Sequence, residues 1–89
     1  MADVAHKVTI TTVTSQATKL PATPMLNRYR ILVMNDTGSV IRIGDETVSM
    51  TKGIEIKNQE VREYVIGPAI ELWAIKATGT GSVVTHEMS

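Results

Sequence analysis

The stretch Ile70–Met88, IELWAIKATGTGSVVTHEM, decides how this chain must be read. Leu72 to Ile75 leave no polar face, so IELWAIKA reads as a strand covered on both sides. TGTG (Thr78–Gly81) is a turn, and SVVTHEM (Ser82–Met88) returns as a second strand. β-branched and apolar residues in short runs between Gly-rich breaks are strand chemistry. Working outward, RYRILVM (Arg28–Met34) begins amphipathic and ends apolar on both faces, as an inner strand would. NDTGS (Asn35–Ser39) is a turn whose Asn, Asp and Gly tolerate left-handed backbone. VIRI (Val40–Ile43), TVSM (Thr47–Met50), IEIK (Ile54–Lys57) and VREYVI (Val61–Ile66) continue the series, separated by Gly44-Asp45, Gly53 and Asn58-Gln59-Glu60.

No segment carries the i, i+3, i+4, i+7 repeat over three turns. NQEVREYVI is the one candidate helix, and its β-branched end before Gly67-Pro68 favours a strand. The fold class is therefore all-β: a small antiparallel β-sandwich or barrel of about seven or eight short strands.

The first quarter of the chain reads differently. KVTITTV (Lys7–Val13) is β-competent, but TTVTSQATKLPATPMLNR (Thr11–Arg28) has no useful apolar rhythm. Pro21 and Pro24 fix φ and remove backbone donors. The expectation is an extended N-terminal arm and tether over residues 1–26, followed by a compact β domain over 27–89. About twelve tether residues at roughly 3.1–3.3 Å each reach some 35–40 Å. Two uses are open to the strip Lys7–Val13: adding a strand to another chain's sheet, or pairing within its own domain. On the first, the partner-binding residues are Lys7, Val8, Ile10, Thr12 and Val13, with Leu20, Pro21 and Pro24 in the tether. Trp73 and Tyr64 are candidates for a subunit interface.

Composition bounds the function. The chain has 89 residues and no cysteine, so disulfides and thiolate sites are excluded. About 60 residues of core sit near the lower limit for independent folding, which favours oligomerisation or docking on a larger surface. Nine basic and nine acidic residues give zero net charge, without the clustered Lys and Arg that neutralise phosphates, so no nucleic-acid partner is expected. No apolar run suits a signal peptide or a membrane span.

No catalytic set is legible, and neither metal nor cofactor is expected. His6 and His86 could supply half a metal site if the termini met, but a full site wants three or four ligands. They read as surface histidines. GTGS (Gly79–Ser82) lacks the helix and lysine of a phosphate loop. Asp45 and Glu46 read as a solvated bend, and Ser15, Ser39, Ser49 and Ser82 have no partner base. Three aromatics, with Trp73 inside the most apolar strand, leave sugar binding a weak alternative.

From Lys19 onward the chain resembles a family of small virion proteins of tailed phages. The residues that carry the likeness are ATKLPATPMLNRYRILVMNDTGSVIRIGD (Ala17–Asp45), VSMTKGIEI (Val48–Ile56) and IGPAIELWAIKATGTGSV (Ile66–Val83). They comprise a Leu-Pro tether, a strand ending in Asn, a Gly-containing turn, an Ile-Gly strand end, a Gly-Ile-x-Ile strand and a late apolar-aromatic-Ala-Ile strand. NQEVREYVI is more charged than the family's Gly-rich turn there. The resemblance implies a β building block of a phage particle. The function expected is a capsid decoration (cement) protein, with the major capsid protein or other virion subunits as partner, arranged as a homotrimer on the capsid exterior and made in the host cytoplasm. A head–tail, neck or fibre-attachment component, or a host-surface module, is the alternative.

Overall fold

The computed structural model describes residues 6–89, and these form eight strands with no helix. They are β1 (His6–Val13), β2 (Thr18–Leu20), β3 (Arg30–Asp36), β4 (Ile41–Gly44), β5 (Ile54–Ile56), β6 (Val61–Tyr64), β7 (Leu72–Lys76) and β8 (Gly81–Met88). Two four-stranded antiparallel sheets result, sheet A in the order β1-β8-β3-β6 and sheet B in the order β2-β7-β4-β5. The all-β sandwich follows from the alternation in the sequence, because each strand has one apolar face to bury.

The inner faces meet in a core of Val13, Leu20, Ile31, Val33, Ile41, Ile43, Ile56, Leu72, Ala74 and Val83. Their parity fixes the register. Val33 pairs with Thr85 and Ile31 with Glu87, while Ile43 pairs with Ala74 and Ile41 with Ile56. A one-residue slip would turn the whole apolar set of a strand outward.

The expected arm is corrected by this arrangement, within the described residues; residues 1–5 of it lie outside them. Lys7–Val13 pairs within its own domain, as β1 running antiparallel to β8 from His6↔Met88 to Val13↔Gly81. The supposed tether then crosses to sheet B, where Thr18–Leu20 pairs with Leu72–Ala74 as β2. Val13, Leu20 and Pro21 are fully buried and belong to the interior, not to a partner contact. The physical reason is that Pro21 and Pro24 fall just after β2. They interrupt pairing where the chain is already leaving the sheet. TVSM is not a strand either. Asp45 accepts bonds from the Thr47 amide (2.8 Å) and hydroxyl (2.5 Å), which closes a turn, and only the bridge Ser49↔Lys52 remains. Those bonds hold the Asp45 carboxyl below its ordinary range.

One end of the sandwich is closed by Asn35, which is fully buried on β3. Its Nδ2 donates to the carbonyls of Ser39 (2.7 Å) and Ile56 (2.9 Å). Its Oδ1 accepts from the Thr37 amide (3.0 Å) and hydroxyl (2.7 Å). The side chain thus shapes the turn into β4 and ties sheet A to β5 of sheet B. At the same end Gly81 is required by close approach: a Cβ there would lie 2.5 Å from the Thr37 Cβ and 2.7 Å from its Cα. Asn35→Ala removes four bonds and takes the side-chain donor from the Ile56 carbonyl, while the Ser39 carbonyl keeps the Thr37 hydroxyl at 2.8 Å, so it should cost about 1–3 kcal/mol. Urea unfolding of the variant should show a lower midpoint with an unchanged slope.

Candidate docking face

The two sheets present different outer faces. On sheet B the outward residues are charged and paired. Lys19 lies 3.2 Å from Glu71 and Arg42 lies 3.6 Å from Glu55, around Trp73 and Ile75. Trp73 Nε1 donates to Glu71 at 3.2 Å. These contacts hold the Glu71 carboxyl below its ordinary range, Lys19 first. Such a face is at home in water.

Sheet A differs. Register and alternation place Ile10, Val84, Met34 and Val61 in one row across all four strands of its outer face. Val8, His86, Leu32 and Glu63 form the next row. Six of these eight side chains are apolar. Val8 is 62% exposed, Ile10 69% and Val61 52%. Leu32, Met34 and Val84 are half-buried between them. Scattered exposed apolar residues are ordinary, but a contiguous set on one sheet face marks an interaction surface. The set ends on β1, an edge strand whose outer side has no pairing partner among the described residues.

The expected partner-binding residues are divided by this geometry. Val8, Ile10 and Thr12 point outward on the face. Lys7 instead donates from Nζ to the Thr23 carbonyl at 2.8 Å, pinning the following loop, and Pro24 is half-buried in that loop. Tyr64 packs against the core rather than at an outer face, and its burial raises the phenol pKa. Trp73 sits on sheet B, opposite the apolar face. Leu32, Met34, Val61 and Val84 were missed as surface candidates. For Leu32 and Met34 the signal is in RYRILVM, whose two apolar faces imply two covered sides, and for Val84 it is the adjacent valines of SVVTHEM.

The end of the sandwich carrying His6, Met88 and Arg30 has a second, polar feature. Arg28 and Glu87 form an ion pair at 2.7 Å, with side chains 1% and 0% exposed. Arg28 Nη2 also donates to the carbonyls of Gly67 (3.2 Å) and Ile70 (2.8 Å), and Glu87 Oε2 accepts from the Met25 amide at 2.8 Å. Two loops are thereby fastened to β8. They hold Leu26, Tyr29, Val65 and Ile70 exposed at this end.

Elsewhere, Asp45, Glu46, Ala69, Ile70, Glu71 and Trp73 line a shallow cleft of about 280 Å³. Its carboxylates Asp45 and Glu71 are already engaged by Thr47 and by Lys19 with Trp73. Among the described residues no group of three or more metal-ligating side chains is placed to hold an ion, and no helix is long and apolar enough to cross a membrane. No protein-family model, curated protein or solved structure matches the chain.

Glu87→Ala leaves the Arg28 charge buried without its partner and should destabilise the fold by about 3–5 kcal/mol. The double variant Arg28→Met/Glu87→Leu should recover a large part of that loss in the same thermal or urea unfolding assay.

Proposed function

We propose that this chain is a non-enzymatic structural protein of a tailed-phage particle, a decoration or cement protein that docks on the outside of the head. The observation that carries the docking is the apolar outer face of sheet A, running from β6 to the free edge of β1. The phage assignment rests on the sequence resemblance described above.

The mechanism is adhesion. The exposed Val8 and Ile10 give a footprint that excludes water against an apolar patch of a capsid subunit. The unpaired edge of β1 can add main-chain hydrogen bonds to a strand of that subunit. A rigid sandwich loses little conformational entropy on docking. An oligomer multiplies a weak footprint, because each later contact is intramolecular. Zero net charge keeps repulsion low when many copies crowd on one shell.

Binding to purified undecorated heads tests this reading. Val8→Lys/Ile10→Lys changes two exposed side chains and should leave the unfolding midpoint nearly unchanged. The same variant should lose at least about tenfold in head affinity, a loss of about 1.4 kcal/mol or more. Saturation of heads at wild-type concentration by the folded variant would remove sheet A as the docking face.

A further inference from the structure

The termini meet. His6 begins β1 and His86 lies near the end of β8, and both project from the outer face of sheet A beside Val8 and Met88. The His6 Nδ1 and His86 Nε2 atoms are 2.9 Å apart, with ring centroids at 5.1 Å and planes tilted by 39°. One ring must donate to the other, so a single proton sits between two imidazole lone-pair positions.

We propose that His6 and His86 form a two-imidazole chelate for a late first-row transition-metal dication such as Zn²⁺. Two imidazole nitrogens bound to one tetrahedral ion at 2.0–2.1 Å stand about 3.3 Å apart. The rings therefore need to open by only a few tenths of an ångström. The ion takes the place of the shared proton, which moves to the far nitrogen of the ring that donated it, so that each neutral ring then ligates through its near nitrogen and carries its one proton on the far one. Imidazole is a good ligand for zinc, nickel and copper and a poor one for magnesium or calcium. Water completes the coordination. Met88 stands opposite His6, but its sulfur already accepts from Arg30 Nη2 at 3.2 Å, and Glu63 is paired with Arg30 at 3.0 Å. The site is open and weak by design of its ligand count, and the Arg30 charge nearby lowers its affinity further.

The chelate has a structural consequence. The two histidines are 80 residues apart in sequence, so only the folded chain presents them together. An ion bound there stabilises the native state by mass action and clamps the edge strand β1 to β8. It does so at the end of the apolar face, where His86 stands directly across from Val8.

Tag-free protein should be titrated with ZnCl₂ by calorimetry and by backbone amide NMR, alongside His6→Ala and His86→Ala. Wild type should bind one ion, shift the β1 and β8 amides and gain in unfolding midpoint. Each single variant should lose at least about tenfold in affinity and show no midpoint gain, while its metal-free midpoint serves as the control for folding. Absence of wild-type binding up to about 1 mM Zn²⁺, or undiminished binding in either variant, would overturn the assignment.

Discussion

The buried pair Arg28–Glu87 is the constraint on which the rest of this molecule depends. It joins the segment entering β3 to the last strand, and through the carbonyls of Gly67 and Ile70 it holds the loop before β7 as well. Charges this deep are costly unless paired and bonded. Here Glu87 Oε1 and Arg28 Nε have no hydrogen-bond partner among the described residues, so the pair contributes location more than net energy. A Glu87 facing inward sets the parity of β8, and β8 carries both β1 and β3. The proline segment cannot swing free as a tether, because Met25 and Arg28 are both fastened to this carboxylate.

Asn35 performs the matching task at the opposite end. The two clips differ in how far the sequence reveals them. Asn35 sits in an obvious turn, NDTGS, and its role at a strand end was legible there; its bond to Ile56 across the sandwich was not. Arg28 and Glu87 are 59 residues apart, and a lone Arg or Glu in a strand pattern reads as a solvated side chain. Short β-branched and apolar runs between turn residues located β1 and the strands from β3 to β8. They failed at residues 14–26 for a specific reason. β2 is three residues long, and its inward Leu20 is followed directly by proline, so the burial signal is too short to compete with the signal for a linker. TVSM misled in the other direction, because its β-branched residues close a turn around Asp45.

The docking surface was half legible. Apolar residues on both faces of RYRILVM, and next to one another in SVVTHEM, demand two covered sides, yet a sandwich covers one. Among the described residues, sheet B meets water with two ion pairs around Trp73 and Ile75, and sheet A meets it with Val8, Ile10 and Val61 beside the pair Arg30–Glu63. A single chain leaves that asymmetry unresolved, and the proposed neighbour would resolve it. Moving β1 from a free arm into the sheet changes the proposed mechanism accordingly. Adhesion now belongs to a preformed face and a preformed edge, with little ordering cost at the moment of binding. Val8 and Ile10, to which the proposal assigns adhesion, are residues of the expected arm, while Val13, Leu20 and Pro21 serve the core.

The proposed decoration role is tested most directly by the copy number of this chain in purified tailed-phage particles, by quantitative mass spectrometry against the major capsid protein. The decoration reading predicts one copy per capsid subunit or a simple fraction of that. A handful of copies per particle would move the protein to the neck or tail, and its absence from particles would contradict the account.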